Sequence, residues 1–229
     1  MRDEREALDA TSFAVELLSV WIPPNLEGLG ARPVSQAEWD ALIDPESELD
    51  PEQEIHDVIV FFDMSRARQC SLALVGRRVD AALHLDFAGR YEGASAALRA
   101  VDAICSRDDL DVRMVVADGT PENLDLLARL ERDSIISDRQ LRPDAGRLGV
   151  QASSGLVDLV AEKKFRHRGQ HELRDALRRD VIKPLSESWV YSRSRSKADV
   201  SPLIAAACAL WVGDAELATE AAAVGTGIF

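Results

Sequence analysis

Continuous apolar runs of strand length stand at two places in the chain. Residues 58–62 are all apolar and residues 112–117 nearly so, which is typical of strands buried on both faces of a sheet. Residues 69–76 and 79–87 predict two further strands, joined tightly at Gly76-Arg77-Arg78 as a hairpin. Four strands therefore stand in the first two thirds of the chain.

Helical periodicity follows these strands. Apolar side chains recur at helical spacing over residues 92–106, and a second helix is predicted at 120–130 with Pro121 at its first position. The remaining predicted elements are helices at 144–163, 170–182 and 202–212 and short strands at Ser134–Ser137 and Ser188–Tyr191. This order predicts an α/β fold, with a mixed central sheet flanked by helices.

The first 55 residues are predicted to form a separate appendage. A helix is expected over residues 3–21, followed by Pro23-Pro24 and several glycines that break the chain. Ser35 and Glu38 resemble a capping box that starts a short helix through Trp39. The acidic stretch DPESELDPEQE then indicates a solvated linker, so we expect an appendage at 1–55, a main domain at 56–213 and a tail at 214–229.

Composition narrows the class of protein. The 229 residues are 46% hydrophobic and 29% charged, which is ordinary for a globular protein. The charged opening MRDEREALDATSF and the lack of an 18-residue apolar run predict a cytoplasmic protein with no membrane partner. The three cysteines, Cys70, Cys105 and Cys208, lie far apart in apolar stretches, and we expect them to be buried and reduced.

Charge is distributed unevenly along the chain. The formal net charge is −13, yet residues 163–197 contain eleven basic and four acidic side chains. Such asymmetry indicates one basic face on an otherwise acidic protein, as a nucleic-acid partner would require. The alternative is a solvated helical surface that is rich in arginine.

Three aspartates stand where chemistry is expected. Asp63 and Asp118 each follow an apolar strand, and the carboxyl ends of strands in an α/β sheet open onto the usual ligand crevice. Asp199 lies just before the helix that begins near Ser201-Pro202. Carboxylates brought together require a cation, and hard oxygen ligands favour Mg²⁺ or Mn²⁺. Alternatively, Asp63 and Asp118 only end strands and begin turns.

Other chemistries lack their motifs. The chain contains no GxxxxGK[ST] phosphate loop and no GxSxG elbow. His167 and His171 have no HExxH or cysteine partners that would indicate zinc.

Three blocks of sequence together resemble the C-terminal nuclease region of the large terminase subunits of tailed bacteriophages. They are FFDMSRARQCSLALVG, VVADGTPENLDLLARL and the long stretch from FRHRGQHELRDALRRD to DVSPLIAAACALW. The likeness covers roughly residues 13–213 and includes the segment around Trp39, which resembles the piece joining that nuclease to the packaging ATPase. The ATPase half has no counterpart, so we interpret the chain as a nuclease domain made separately or as a fragment of a split or truncated gene.

This resemblance implies a ribonuclease H-like fold and an endonuclease that uses two Mg²⁺ or Mn²⁺ ions. Asp63, Asp118 and Asp199 would be the metal-binding catalytic residues. Many terminases have an aspartate directly before the position of Pro202, and this chain has Ser201 there. The implied activity is cutting of concatemeric double-stranded viral DNA during packaging, in the cytoplasm of the infected bacterium. The implied partners are the packaging ATPase domain, the portal and the small terminase subunit.

Candidate DNA contacts come mainly from the basic stretch, with two arginines that follow Asp63. The set comprises Arg66, Arg68, Lys164, Arg166, Arg168, His171, Arg193, Arg195 and Lys197. Arg66 and Arg68 are equally interpretable as exposed loop residues, and His171 as a helix cap. Two other functions stay open: a catalytically silent docking module of the packaging machinery and a nuclease similar to junction resolvases.

Overall fold

A six-stranded mixed sheet forms the centre of the molecule in the computed structural model. The structure describes residues 33–133, 135–136, 141–144, 148–179, 182–185, 188–196 and 199–225. The strands of this sheet are β1 (His56–Met64), β2 (Gln69–Arg77), β3 (Leu83–Glu92), β4 (Leu110–Asp118), β5 (Leu141–Asp144) and β6 (Phe165–His167). A separate two-stranded ribbon pairs β7 (Ile182–Pro184) with β8 (Trp189–Tyr191).

The strands lie in the order β5-β4-β1-β2-β3-β6. The consecutive strands β1, β2 and β3 are antiparallel neighbours, whereas β1–β4, β4–β5 and β3–β6 are parallel pairs. Every strand except β2 therefore points the same way, and their carboxyl ends share one edge of the sheet. This edge is called the carboxyl edge below.

Six helices are described in the ranges given above. They are α1 (Gln36–Asp40), α2 (Gly93–Cys105), α3 (Pro121–Arg132), α4 (Leu148–Ala161), α5 (His171–Arg179) and α6 (Ser201–Gly225). Helices α2 and α3 cover one face of the sheet, where Val60 and Phe62 pack in the same core as Ala97 and Leu126. Helix α6 covers the other face, where it contacts β1, β2 and β3, and α4 packs on α6 and on β8.

The helix α6 is almost wholly enclosed along its first ten residues, which are all buried. Its crossing with α4 depends on Gly155, because a Cβ there would stand 2.2 Å from the Trp211 ring. A side chain at that position would force the two helices apart. This close approach joins α6 to α4, while α6 itself lies on β1, β2 and β3, the first of which carries Asp63.

The α/β fold predicted from the sequence is confirmed, with some boundaries displaced. The fifth strand is Leu141–Asp144, whereas the sequence predicted a strand at Ser134–Ser137; of those four residues, the described 135 and 136 form a bend. The hairpin turn lies at residues 78–82, later than the predicted Gly76-Arg77-Arg78. Cys70 and Cys208 are buried and Cys105 is half-buried, all three as free thiols.

The divisions of the chain also differ from those expected. The compact unit that contains the sheet begins at Gln36, whereas the sequence placed a boundary near residue 55. Trp39 is fully buried against Phe165 and His167, so this segment belongs to the core of the domain. At the other end, α6 continues through residue 213 to Gly225, so residues 214–225 of the expected tail are helical.

The helix predicted at residues 3–21 lies outside the described residues. Within the described parts of the chain, no helix has both the length and the apolar character that crossing a bilayer requires.

Candidate functional site

Asp63 and Asp118 lie side by side at the carboxyl edge. The parallel register pairs Phe61 with Val116, so Asp63 and Asp118, each two residues further on, are opposite one another on neighbouring strands. Side chains at opposed positions of parallel strands point to the same face. Asp63 is completely buried and Asp118 is 7% exposed, so two carboxylates share one nearly closed site.

Asn123 connects these two carboxylates. Its Nδ2 donates to Asp118 Oδ1 at 2.7 Å and to Asp63 Oδ1 at 3.2 Å, while its Oδ1 accepts the Met64 N–H at 2.7 Å. Asn123 lies in the first turn of α3, and Pro121 starts that helix directly after the turn that follows Asp118. Sequence reasoning missed this residue, although a polar side chain soon after a strand-end aspartate was a usable signal.

Arg193 lies between the same two carboxylates. Its Nε donates to Asp63 Oδ2 at 3.0 Å, and its Nη2 donates to both Asp63 Oδ1 and Asp118 Oδ2. Arg193 was predicted from the sequence to be one of the DNA contacts on the basic stretch. In the structure it is a half-buried counter-cation that binds the two aspartates, because its strand β8 ends beside the carboxyl edge.

A network of serines holds the turn that carries Arg193. Ser192 Oγ accepts the Arg195 N–H, and Ser196 Oγ donates to the Ser192 carbonyl at 2.8 Å. The preceding strand is tied to α4, because Tyr191 N donates to Ser153 Oγ and Ser153 Oγ donates to the Gly149 carbonyl. The guanidinium position is therefore set by the backbone as well as by the aspartates.

For both aspartates, burial raises the pKa and Arg193 lowers it. Burial raises the pKa of Asp63 above its ordinary value, and Arg193 only partly opposes this effect. Burial also raises the pKa of the less enclosed Asp118, but Arg193, Asn123 and the Thr120 N–H together lower it below the ordinary value. Of the two carboxyl groups, Asp118 is thus the more strongly held in its ionised form.

The structure does not bring Asp199 to this pair. Its Oδ1 accepts the Ser201 N–H at 3.0 Å, and its Oδ2 lies 3.7 Å from Arg90 Nε. Ser201 is the residue nearer the site, because its Oγ is 2.8 Å from the Oγ of Ser71, the partner of Asp63 in the sheet register. Asp199 is drawn away because it closes the turn before α6.

The described residues fit a divalent cation only in part. Among them, no three acid, histidine or cysteine side chains converge as a metal-binding group. Asp63 and Asp118 supply hard oxygen ligands, and a cation already lies between them in the form of Arg193. Arg193 Nη2 and Asn123 Nδ2 each bridge the two carboxylates, so a divalent ion completed by water or phosphate oxygens would have to displace one of these donors. They do not fit the arrangement of three carboxylates and two ions that the resemblance implies.

A cleft of about 420 Å³ is lined by Met64 and Thr120, which follow the two aspartates in the chain, and by Arg193, which binds both; neither aspartate is among its lining residues. Its lining contains three basic side chains, Arg66, Lys183 and Arg193, one acid, Glu122, and the neutral Ser192 and Ser194. Arg66 and Arg68 are exposed in the turn after β1, and Arg195 is exposed in the turn with Arg193. The cleft combines basic side chains with access to the carboxyl edge.

The other predicted DNA contacts are spread over the molecule, so the expected single basic face does not form. Lys164 lies near Glu162 and Asp214, and its carbonyl accepts the Leu83 N–H at the start of β3, which is the opposite edge of the sheet. Arg166 donates to the backbone carbonyls of Lys163 and Phe165, and Arg168 donates to that of Ser47.

Two candidates are left. His171 is exposed at the start of α5, where its Nδ1 lies 3.2 Å from Glu172 Oε2. Lys197 lies outside the described residues. Of the nine predicted DNA contacts, Arg66 and Arg193 line the cleft, and the exposed Arg195 shares the turn of Arg193.

Solved structures provide the comparison with known proteins. The large terminase of bacteriophage HK97 is similar, with a TM-score of 0.58 and 12% identity over 83% of this chain and 48% of that chain. The large terminase nuclease of the thermophilic phage G20c with bound magnesium gives a TM-score of 0.53 and 17% identity over 76% of this chain and 94% of that chain. The structure of that nuclease with bound cobalt gives 0.53 and 16% over the same shares.

These likenesses define the fold. This chain spans about half the length of the HK97 protein and nearly all of the G20c nuclease. No protein-family model and no curated protein matches the sequence. The fold resemblance inferred from the sequence is confirmed: this chain has the ribonuclease H-like fold of large terminase nuclease domains.

Proposed function

We propose that this chain is a divalent-cation-dependent endonuclease that cuts double-stranded DNA. The observation that carries the proposal is the pairing of two buried carboxylates, Asp63 and Asp118, at the carboxyl edge beside a basic cleft. Burial of two like charges is costly, and such groups are retained mainly where chemistry needs them. The magnesium and cobalt bound by the G20c nuclease, which has the same fold, support the choice of cation.

Asp63 and Asp118 would hold the cation, and Asn123 would orient them. When bound, the cation supplies Lewis-acid stabilisation of negative charge at the scissile phosphate. Asn123 donates to Oδ1 of both carboxylates, which fixes the orientation of each. Asp63 itself is completely buried.

The basic side chains of the cleft would bind the DNA backbone. Arg66 and Lys183 line the cleft next to the aspartates, and Arg195 is exposed in the neighbouring turn. Contacts between such side chains and phosphates release counterions, so binding should weaken steeply as salt increases. A contact made to phosphate carries little sequence preference.

The biological role proposed is the cutting of concatemeric viral DNA during genome packaging, in the cytoplasm of the infected bacterium. The similarity to the HK97 large terminase, of which this chain spans about half, supports it. The partners would be the packaging ATPase domain, the portal and the small terminase subunit. A portal or ATPase would then deliver DNA to the cleft.

Plasmid cleavage in Mn²⁺ tests the proposal. Asp63→Asn and Asp118→Asn keep the side-chain shape but remove the charge, and each should lower the cleavage rate by at least about 100-fold. The matched control is Asp111→Asn, an exposed carboxylate on the same strand as Asp118, which should cut like the wild type. Cleavage that survives both site substitutions would refute the carboxylate mechanism.

The choice of substrate separates the alternatives. The same assay on linear duplex and on a four-way junction should show no preference for the junction; a strong preference would indicate a nuclease similar to junction resolvases. A wild-type protein that binds a packaging ATPase but never cuts DNA in Mn²⁺ or Mg²⁺ would instead be a silent docking module.

A further inference from the structure

We propose that Arg193 keeps this site closed until DNA binds. Its guanidinium and a divalent ion compete for the same carboxylate oxygens of Asp63 and Asp118, and a DNA phosphate in the cleft draws the guanidinium away from them. The inference rests on the nuclease function proposed above and concerns how that site is regulated. The arrangement in which Arg193 binds both acids is called the closed arrangement below.

All four carboxylate oxygens of the two acids accept hydrogen bonds in the closed arrangement. Arg193 Nε donates to Asp63 Oδ2 at 3.0 Å, and Arg193 Nη2 donates to Asp63 Oδ1 and, at 2.7 Å, to Asp118 Oδ2. Asn123 Nδ2 donates to both Oδ1 atoms, and the Thr120 N–H donates to Asp118 Oδ1 at 3.3 Å. A divalent ion shared by the two acids therefore finds no free carboxylate oxygen while Arg193 is in place.

Arg193 is the donor whose departure would open the site. It is the only hydrogen-bond donor to the two Oδ2 atoms among the residues that the structure describes. Asn123 and Thr120 donate only to Oδ1 atoms, so each carboxylate keeps a hydrogen bond after the arginine leaves. Asn123 is completely buried, whereas 23% of the Arg193 side chain is exposed. Departure of the arginine thus frees one oxygen on each acid and leaves their orientation fixed.

The guanidinium occupies the place of a cation between the two acids. Nη2 binds one oxygen of Asp63 and one of Asp118, which is the position that a shared ion would need. Its charge offsets the repulsion between two carboxylates in a nearly closed site, where burial makes an unpaired charge costly. A divalent ion would meet the same need at the same atoms. Arg193 and the ion are therefore alternative occupants.

The cleft offers the guanidinium a second partner. Arg193 lines this cleft together with Arg66 and Lys183, two basic side chains that attract a phosphate. A guanidinium binds phosphate with the same paired donors that it uses for a carboxylate. A phosphate in the cleft can therefore replace the aspartates as the partner of Arg193. Every charge then stays paired: the ion binds the carboxylates and the phosphate binds the arginine.

The exchange requires only rotation of the Arg193 side chain. Hydrogen bonds that involve Ser192 and Ser196 hold the backbone of its turn, and Tyr191 N is bonded to helix α4 through Ser153. An arginine side chain has several rotatable bonds with staggered minima, so the guanidinium can turn towards the cleft on a fixed backbone. Because metal and DNA both favour the open site, each should raise the affinity for the other by the same factor.

Mn²⁺ affinity measured with and without DNA tests the inference. Electron paramagnetic resonance reports free Mn²⁺ during a titration, and the Mn²⁺ bound by a short DNA duplex alone is subtracted. The wild type should bind Mn²⁺ at least about tenfold more tightly when the duplex is present. Arg193→Gln should bind Mn²⁺ at least about tenfold more tightly than the wild type without DNA, and the duplex should then add less than about threefold.

Two further variants separate competition from a simple effect of charge. Arg193→Lys keeps the charge but cannot make the paired bonds of a guanidinium, so it should bind Mn²⁺ more tightly than the wild type without DNA. A simple charge effect would leave this variant with wild-type affinity. Arg113→Gln is the matched control, because Arg113 pairs with Asp57 and lies on the same strand as Asp118. It should leave Mn²⁺ affinity unchanged.

Nuclear magnetic resonance of the wild type reports the arginine directly, and it decides the matter if Arg193→Gln folds poorly. The Nε–H resonance of Arg193 is assigned by its absence from the spectrum of Arg193→Lys. In the free protein the bond to Asp63 should protect this proton from exchange with water. With Mg²⁺ and the duplex both present, the resonance should shift and the proton should exchange faster.

Three results would overturn the inference: wild-type Mn²⁺ affinity in folded Arg193→Gln, wild-type Mn²⁺ binding that is absent or equally tight with and without DNA, or an Arg193 resonance that Mg²⁺ and DNA together leave unchanged. Its failure is distinguishable from that of the nuclease proposal. A protein that cuts DNA while the Arg193 resonance stays unchanged refutes only the inference. One in which Arg193 leaves the aspartates but DNA is never cut refutes only the nuclease function.

Discussion

Two polar clusters are buried at opposite edges of the same sheet, and they differ in charge and in access. The carboxylate cluster consists of Asp63, Asp118, Asn123 and Arg193, and it borders an open cleft. The serine–histidine cluster consists of Asp44, Ser47, Arg78, His84 and Arg168.

The hydrogen bonds of the serine–histidine cluster hold the segment around Ser47 against the sheet. Ser47 Oγ is 2.9 Å from His84 Nδ1 and accepts from Arg78 Nη1 at 2.6 Å, so the Ser47 hydroxyl proton is available to the imidazole. Arg168 Nε donates to the Ser47 carbonyl at 2.7 Å. These bonds tie residues 44–47 to the strands and turns beside them. The two acids that pair with Arg78 are the partly exposed Asp44 and the exposed Asp80.

The comparison shows how two buried polar groups come to have different roles. In the serine–histidine cluster the buried side chains, Ser47 and His84, are neutral and hydrogen-bonded to each other. Burying them therefore costs little free energy, and the hydrogen bond holds residues 44–47 in place. In the carboxylate cluster two buried acids share one arginine, and the charges are not balanced. An imbalance of this kind stabilises the fold poorly and suits a site that recruits a cation.

The largest stability effect should come from the segment that the serine–histidine cluster anchors. Trp39 is fully buried, with its ring centroid 4.7 Å from that of His167 and 5.6 Å from that of Phe165. Trp39→Ala should lower the free energy of unfolding by about 3–5 kcal/mol, because it leaves a large cavity. Urea denaturation measures this loss.

The control for this substitution is Ile55→Ala, an apolar residue that is 59% exposed between the segment and β1. It should change the stability by less than about 0.5 kcal/mol. If Trp39→Ala were equally mild, residues 36–47 would behave as an appendage and the comparison would fail. Cleavage by folded Trp39→Ala should be close to that of the wild type.

The next largest effect should be a loss of DNA cleavage when the carboxylate cluster is altered. Asn123→Ala removes the side chain that donates to both aspartates, and should reduce cleavage or Mn²⁺ affinity by about 10–100-fold. Leu124→Ala, the adjacent residue, is 42% exposed and should have no such effect. Equal activity of the two variants would show that Asn123 does not orient the site.

The serine–histidine cluster should make stability sensitive to acid. Burial lowers the pKa of His84 to about 4, with Arg168 and Arg78 acting in the same direction and Asp86 and Asp44 opposing it. In the unfolded chain, His84 therefore takes up a proton near pH 6.5, whereas in the folded chain it stays neutral until the pH approaches 4. Stability should fall as pH drops from about 6.5 to about 4, by on the order of 2 kcal/mol from this residue.

Unfolding free energies measured at several pH values in this window check the sign. His84→Gln should flatten the decline relative to the wild type, whatever it does to stability at pH 7. His171→Gln, which alters an exposed histidine, should retain the wild-type slope. A slope that is identical in His84→Gln would show that this imidazole does not titrate differently on folding.

The smallest effect expected is at Asp199. The structure gives this carboxylate the task of accepting the Ser201 N–H, so Asp199→Ala should cost about 1 kcal/mol of stability. Asp199→Asn retains an acceptor oxygen and should restore most of that loss. Cleavage by both variants should stay within about twofold of the wild type; a 100-fold loss would place Asp199 in the metal site after all.

The strands and the two strand-end aspartates could be predicted from the sequence because their signals are local. A run of apolar residues at 58–62 or 112–117 indicates a buried strand wherever it occurs, and an acid directly after it lies at the strand end. The parallel alignment of β1 with β4 then makes neighbours of Asp63 and Asp118. The family resemblance predicted the fold as well, but no local pattern predicted which other side chains contact these two aspartates.

The tertiary structure alone decided which other residues join that pair. Arg193 is 130 positions from Asp63 in the chain, and Ser201 is equally far from Ser71. Contacts at such separation follow from how α6 and the β7–β8 ribbon pack on the sheet, which no short pattern encodes. For the same reason Trp39 could be read as part of a linker, although it completes the core. Local periodicity determined the elements of this protein, and long-range packing determined which charges they bring together.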